Sequence, residues 1–144
     1  PGMGDAGRKS LMKTVDFLKQ EDFPGLLMLI MKFAKTTDTP FHVHVYEVAA
    51  SLMGGKVITI VGKDDEKDFP LVAYLNGFKM DAGEFMMSQM YSEDPSLTPI
   101  IGSFFEDHLC SLGVKKIYAL FQHTPKVAEK YGYKLDRYLM SKEL

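Results

Sequence analysis

The segment from Ser92 to Ser103 carries a pattern that is typical of an anion-binding site. A polar loop follows a predicted strand, and Thr98-Pro99 then opens a predicted helix. The first N–H groups of a helix are unpaired and lie at the positive end of its dipole, so such a helix start binds phosphate readily. Pro99 has no N–H, and the Thr98 hydroxyl is equally suited to capping an ordinary helix. The candidate binding residues are Thr98, Ile100, Ile101, Gly102 and Ser103.

Glu84 is the candidate general base, because it carries a carboxylate at the start of a predicted strand. A carboxyl group that is buried in a cleft has a raised pKa and accepts protons near neutral pH. A solvated carboxylate at the edge of a sheet has no such role, and the sequence is compatible with both.

The histidines and the cysteine form no pattern that is typical of a metal site, and we predict none. His42 and His44 lie two residues apart on a predicted helix, which turns them about 200° from each other. His108 lies on the apolar face of another predicted helix, and Cys110 lies off that face. His123 follows a strand, where ligands of open α/β sheets gather and where a histidine also commonly caps a loop.

Composition and missing motifs exclude several classes of protein. The 144 residues carry a net charge of -2 and a pI of about 6.1, which favours neither nucleic acid nor an anionic membrane as a partner. A single cysteine and no apolar run of about 20 residues indicate a cytoplasmic protein. There is no nucleophile elbow, Walker loop or Cys-X-X-Cys motif, so covalent catalysis has no signature. We expect residues 1–10 to be a disordered leader and 11–144 to form one domain.

Hydrophobic periodicity and turn residues predict an alternation of strands and helices. A strand–helix–strand unit over 84–121 predicts a parallel pair, whereas the short turns before it predict antiparallel neighbours. The fold class is therefore α/β (α+β): a mixed, mostly antiparallel central sheet with a parallel pair and helices on both faces. The predicted strands are 11–18, 56–62, 70–75, 84–91, 114–121 and 133–140, and the predicted helices are 22–34, 39–53, 98–112 and 124–131.

Two elements have predicted faces that matter for the site. Along the strand 84–91, strict alternation puts Phe85, Met87, Gln89 and Tyr91 on one face and Glu84, Met86, Ser88 and Met90 on the other. Both faces are bulky, which predicts a central strand. Along the helix 98–112, the predicted buried face consists of Ile100, Ile101, Phe104, Phe105, His108, Leu109 and Leu112.

The order of these elements and the text from Glu84 onwards resemble the GNAT superfamily of acyl-CoA-dependent N-acetyltransferases. The likeness is strongest in FMMSQMYSEDP, in IIGSFFEDHLCSLGVKKIYALF and in AEKYGYKL, which is similar to the YEKLGFK common in that family. The resemblance implies the GNAT fold, acetyl-CoA as co-substrate and a primary amine, on a small molecule or a peptide, as acceptor. It also implies that a homodimer is possible.

The resemblance also implies a mode of donor binding. In the family, a loop of pattern Q/R-x-x-G-x-G/A holds the pyrophosphate of coenzyme A; here Leu97 and Ile100 stand at the first two signature positions and Gly102 matches the last. The fourth strand of the family separates from the fifth, and its backbone pairs with the pantetheine amides. The corresponding residues here are Met90, Tyr91 and Ser92.

Catalysis in the family is direct attack of the amine on the thioester, often with a tyrosine as general acid. That tyrosine position is Ala128 here, and Tyr131 lies three residues further on, so the candidate catalytic residues are Tyr131 and Glu84. The acceptor is expected between the first two helices and the last strands, beside His42, His44, Glu84 and Tyr74. The alternative is a GNAT-fold protein that has lost catalysis and acts as a binding or structural module.

Overall fold

A computed structural model of the chain describes residues 12–119, 129–135 and 140–144. Short 3-10 turns at Gln20–Asp22 and Ser51–Met53 precede the first helix and follow the second. The regular elements are β1 (Lys13–Phe17), α1 (Phe23–Ala34), α2 (Phe41–Ala50), β2 (Val57–Asp64), β3 (Leu71–Lys79), β4 (Glu84–Ser92), α3 (Thr98–Ser111) and β5 (Lys116–Ala119).

The strands form one five-stranded sheet in the order β1-β2-β3-β4-β5. β1 to β4 pair antiparallel, and β4 and β5 pair parallel. Short turns can join only antiparallel neighbours, whereas α3 carries the chain back across the sheet and makes β5 parallel to β4. The predicted mixed sheet with one parallel pair is confirmed.

Helices cover both faces of the sheet, as predicted. On one face, α3 buries Ile101, Phe105 and Leu109 against the sheet, and we call this the α3 face. On the other face, α1 and α2 pack their apolar side chains, Leu26 and Val48 among them, against the sheet, and we call this the α1/α2 face. Each face therefore has its own hydrophobic core, and the sheet is buried between them.

β3 extends to Lys79, beyond the predicted end at Leu75. Asn76 and Gly77 are typical turn residues, but packing holds both in the strand. The Asn76 amide donates to Thr59 Oγ1 at 2.9 Å, and a Cβ on Gly77 would overlap the Phe85 ring. Local propensity therefore gives way to tertiary contacts at this point.

The helix starts differ from the sequence-based expectation. Asp22 does not cap α1; its Oδ1 instead forms an ion pair with Lys63 Nζ on β2 at 2.8 Å. Along α3, Ile100 and Leu112 are 52% and 44% exposed, although both were predicted on the buried face. The reason is geometric, because the fully buried residues of α3, Ile101, Phe105 and Leu109, form a single i, i+4 row, and the positions beside that row are partly or largely exposed.

The described residues do not cover every predicted element. The predicted leader, the end of the strand 114–121 and most of the helix 124–131 lie outside them. Glu129 and Lys130 are helical, and Gly132 has a positive φ of 85°, as expected where a helix stops. In the predicted strand 133–140, the described residues 133–135 and 140 are in no strand.

Candidate functional site

A β-bulge interrupts β4 at Ser88. Asn76 pairs with Gln89 while the next residue of β3, Gly77, pairs with Met87, so Ser88 has no partner on β3. One extra residue reverses the alternation of the strand from that point. Met87 and Met90 therefore both pack on the α3 face, while Tyr91 packs on the α1/α2 face. The predicted faces are correct up to Met87 and wrong beyond it, because strict alternation does not anticipate a bulge.

Among the described residues, which stop at Ala119 on β5, the bulge coincides with the last pair between β4 and β5. That pairing runs from Glu84↔Lys116 to Met87↔Ala119, and within the described chain the rest of β4 pairs only with β3. No described residue pairs with the side of residues 88–92 that faces away from β3, and we call this side the open edge of β4. A strand edge presents unpaired N–H and C=O groups that can bind an extended ligand.

Hydrogen bonding to β3 decides which backbone groups lie on the open edge. The Glu93 N–H donates to Val72 O at 2.8 Å, and in an antiparallel pair such bonds recur at every second residue. The backbone of Tyr91 therefore points towards β3, and the backbone groups of Met90 and Ser92 point to the open edge. Of the three residues predicted to pair with pantetheine, Met90 and Ser92 present their backbone groups on the open edge, and Tyr91 presents its groups to β3.

A carboxylate of the protein itself occupies the turn before α3. Asp94 Oδ1 accepts hydrogen bonds from the Ser96 N–H at 3.0 Å and from the Ser96 hydroxyl at 2.7 Å. Asp94 Oδ2 lies 3.0 Å from Lys13 Nζ on β1. The Ser96 hydroxyl and then Lys13 lower the pKa of Asp94 to about 2, so this carboxylate is ionised at neutral pH. A negative charge is favourable here, since the helix dipole is positive at its start.

Most of the predicted phosphate donors on α3 are already used. The Ile101 N–H donates to Leu97 O at 2.9 Å, and the Ile101 side chain is fully buried. Gly102 and Ser103 lie deeper in the helix, where each N–H bonds to the carbonyl four residues before it. The Thr98 hydroxyl lies 3.4 Å from Asp94 O and does not cap the helix. Thr98 and Ile100 thus remain as first-turn donors, one on either side of Pro99.

An ion pair that the sequence does not reveal joins α1 to the carboxyl end of β4. Lys32 Nζ lies 2.6 Å from Glu93 Oε2, and the two side chains are 42% and 34% exposed. The hydrogen bond to Glu93 raises the pKa of Lys32, and nearby Tyr91 also raises it. Because the partners are 61 residues apart and belong to different elements, only the fold brings them together.

Of the two predicted catalytic residues, Glu84 lies far from the open edge. Glu84 begins β4, six residues before Met90, which puts it roughly 20 Å along the strand from that backbone. Glu84 pairs with Lys116 at the opposite end of the sheet, so it does not fit a base at the open edge. Tyr131 is half exposed in a turn, and its role as an acid stays a prediction.

Two residues that were expected to line the acceptor pocket are in the core instead. Tyr74 is fully buried, and its hydroxyl donates to Gln89 Oε1 at 2.8 Å. Burial raises the pKa of Tyr74, which makes it a poor proton donor. His44 is 5% exposed, burial lowers its pKa, and its Nε2 lies 2.9 Å from Thr37 Oγ1. His42 is exposed on the other side of α2.

Other ligand types find little support in the described part of the chain. No three His, Cys, Asp or Glu side chains of the described residues come close enough to hold a metal ion. His108 packs against the Phe17 ring at 4.7 Å between centroids, and His123 lies outside the described residues. None of the described helices is both long and apolar enough to cross a membrane.

Comparison with known proteins identifies similar structures, but it finds no relative by sequence. No protein-family model and no curated protein matches the sequence. Among solved structures, the aminoglycoside N-acetyltransferase AAC(6')-Iy in complex with CoA has a TM-score of 0.70 and 7% identity, over 91% of this chain and 94% of that chain.

Two further solved structures are similar over nearly their whole length. Ribosomal-protein-alanine N-acetyltransferase from Brucella melitensis has a TM-score of 0.70 and 10% identity, over 92% of this chain and 99% of that one. Glucosamine-6-phosphate N-acetyltransferase from Arabidopsis thaliana has a TM-score of 0.64 and 17% identity, over 91% and 97%. With a mixed five-stranded sheet whose one described parallel pair, β4 and β5, is joined by a crossover helix, the chain has the fold of the GNAT N-acetyltransferases.

Proposed function

We propose that this protein is an N-acetyltransferase that moves an acetyl group from acetyl-CoA to a primary amine. The observation that supports the proposal is the open edge of β4, where the Met90 and Ser92 backbone groups face away from β3, beyond the last β5 pair of the described residues. A pantetheine arm contains amides in an extended chain, so it can add to this edge as a further strand would. Side-chain identity matters little for such pairing, which fits a sequence without the usual motifs.

The proposed chemistry is direct transfer. The uncharged amine nitrogen attacks the thioester carbonyl carbon, a C–N bond forms, and the C–S bond then breaks. The sulfur leaves with its bonding electrons and takes up a proton, while the amine loses one. Holding the two reactants side by side supplies much of the acceleration. Tyr131 is the proposed proton donor to the sulfur.

Glu93 replaces Glu84 as the proposed base. It follows β4 directly, at the same end of the strand as Met90, and its carboxylate is partly exposed. A carboxylate in this position can attract an incoming ammonium group and accept its proton through water. Lys32 contacts Glu93 Oε2, so it does not occupy Oε1, the oxygen proposed for this role.

The acceptor class is a primary amine on a small molecule or a peptide. The similar solved structures are named for aminoglycosides, for the alanine of a ribosomal protein and for glucosamine 6-phosphate. These acceptors share only the amine, so the fold does not select among them. The direct experiment measures thiol release from acetyl-CoA with aminoglycosides, amino sugars, polyamines and peptides that begin with alanine.

A non-catalytic binding module is the second candidate, and the start of α3 favours it. Pro99 and the exposed Ile100 side chain stand where a phosphate loop needs N–H groups and space. Thiol release above the uncatalysed rate with any of the amines supports the enzyme. No release with any of them, together with tight binding of an amine or peptide, supports the module.

A further inference from the structure

We propose that this protein recognises its acyl donor through the thioester and the pantetheine arm, and that α3 provides no cradle for the diphosphate of coenzyme A. The inference rests on the proposed function, because it concerns the donor of the same transfer. The donor class is therefore acyl-pantetheine thioesters in general. The pantetheine can be carried by coenzyme A, by a carrier protein or by no further group.

The first observation is the supply of backbone donors. Helix starts bind diphosphates with several adjacent free N–H groups. At the start of α3, the Leu97 N–H donates to Asp94 O at 3.0 Å, the Ile101 N–H donates to Leu97 O at 2.9 Å, and Pro99 has none. The two N–H groups that remain, on Thr98 and Ile100, are not adjacent, so they cannot form a continuous cradle.

The second observation is the charge that already fills this position. The ionised Asp94 carboxylate accepts two hydrogen bonds from Ser96 and is 8% exposed. The nearby cation, Lys13, is engaged with both of these residues, at 3.0 Å from Asp94 Oδ2 and 3.1 Å from Ser96 Oγ. An incoming diphosphate would therefore meet a fixed negative charge whose counter-ion is already paired.

The third observation is the side chains of the first turn. Ile100 projects from it and is 52% exposed, where a close approach of backbone to phosphate requires glycine. Leu97 is 1% exposed and packs among the core residues of the α3 face. It supplies no polar group, and replacing it with arginine would bury a charge rather than restore a phosphate contact. The open edge of β4 is unaffected by any of these features.

The test compares donors that share the arm and differ in the nucleotide. We expect kcat/KM for acetyl-pantetheine to lie within about tenfold of kcat/KM for acetyl-CoA, since the nucleotide adds little binding energy. By calorimetry, we expect pantetheine and coenzyme A to bind with Kd values within about tenfold of each other. We expect no binding of 3′-phospho-ADP at millimolar concentration. A preference for coenzyme A above about a hundredfold, or clear binding of 3′-phospho-ADP, would overturn the inference.

A double variant supplies an independent test. Pro99→Gly with Ile100→Gly restores an N–H group and removes a side chain from the first turn of α3. We expect it to bind coenzyme A at least about fivefold more tightly and to bind pantetheine as the parent protein does. Its circular dichroism and melting temperature show whether α3 is intact. An intact variant that binds coenzyme A no better than the parent would contradict the role assigned to these two residues.

Calorimetry with pantetheine separates this inference from the proposed function. Binding of pantetheine without transfer to any amine would contradict the proposed function and support the inference. Transfer that occurs only when the donor carries the nucleotide would support the proposed function and contradict the inference. An acetylated carrier protein distinguishes the two sources of the arm: faster transfer from it than from acetyl-pantetheine indicates a protein-borne donor, and equal transfer indicates a free thioester. Both results support recognition through the arm.

Discussion

The Tyr74 hydroxyl donates a hydrogen bond to Gln89 Oε1 at 2.8 Å, and the two residues are 0% and 1% exposed. Gln89 in turn donates from Nε2 to His44 O on α2 at 3.2 Å, which ties β3, β4 and α2 together. The contact exists because of the bulge at Ser88. Without the extra residue, Gln89 would face the apolar α3 side of the sheet and would have no partner there.

Replacing Tyr74 with phenylalanine removes the donor and keeps the ring. We expect Tyr74→Phe to lower the free energy of unfolding by about 1–2 kcal/mol, because Gln89 Oε1 is left buried and unpaired. Tyr46→Phe is the matched control, since Tyr46 is 70% exposed, and it is expected to change stability by less than about 0.5 kcal/mol. Urea denaturation of both variants measures the difference. Equal stability of Tyr74→Phe and the parent protein would show that the bond contributes nothing.

Gly77 lies opposite the bulge, and its lack of a side chain is a packing requirement. An added Cβ would overlap the Met86 carbonyl oxygen and the Phe85 ring, so Gly77→Ala is expected to destabilise the fold by about 1–3 kcal/mol. Gly102 is the control, because a Cβ there meets nothing within 4 Å. Gly102→Ala in a helix is expected to stabilise by about 0.5–1 kcal/mol. Thermal or urea unfolding measures the stability change of each variant. Changes of opposite sign support this account, and changes of the same sign would refute it.

The sequence predicts the fold well because its signals there are local. The Thr98-Pro99 start, the Gly113 stop and the apolar run of β5 fix the strand–helix–strand unit, and chain connectivity then makes β4 and β5 parallel. Gly113 has a φ of 79°, which agrees with its predicted role as a helix stop.

The site is predicted less well because its features are not local. The bulge at Ser88 depends on packing across three strands, and the Lys32–Glu93 pair joins residues that are distant in the chain. In the sequence, Asp94 is one of several polar residues in a loop. Only the fold shows that it accepts hydrogen bonds from Ser96 and pairs with Lys13. Family resemblance predicts donor binding along β4, which stays a prediction, but it could not show that Glu84 lies at the far end of that strand from Met90.

Asp94 makes part of the stability depend on pH. The pKa of Asp94 is about 2 in the folded protein and 3.8 in the unfolded chain. The ionised carboxylate therefore contributes to the stability of the folded form above about pH 4. That contribution falls as the pH drops from about 4 to 2, where the unfolded chain binds the proton first. We expect Asp94→Asn to cost about 1 kcal/mol at pH 6, roughly the net value of one hydrogen bond, because it weakens the contacts with Ser96 and Lys13. The difference from the parent is expected to shrink towards pH 2.

Asp107→Asn is the control for this pH dependence, because Asp107 is exposed on α3. Because its side chain is exposed, the substitution is expected to change stability by less than about 0.5 kcal/mol. Urea midpoints of the three proteins at a series of pH values test the prediction. A stability difference for Asp94→Asn that stays constant down to pH 2 would contradict it.

The Met90 N–H provides the most direct test of the open edge. Because it points away from β3, proline at this position removes no bond of the β3–β4 ladder, and proline is tolerated at a free strand edge. Met90→Pro is therefore expected to fold and to lose at least about tenfold in affinity for pantetheine, which is roughly the value of one hydrogen bond. Met90→Ala is the matched control, since it loses the same side-chain packing on the α3 face and keeps the N–H. Tyr91→Pro removes a donor that points to β3 and is expected to unfold β4. Calorimetry with pantetheine separates the two Met90 variants, and equal affinity in both would mean that the donor does not pair with this edge.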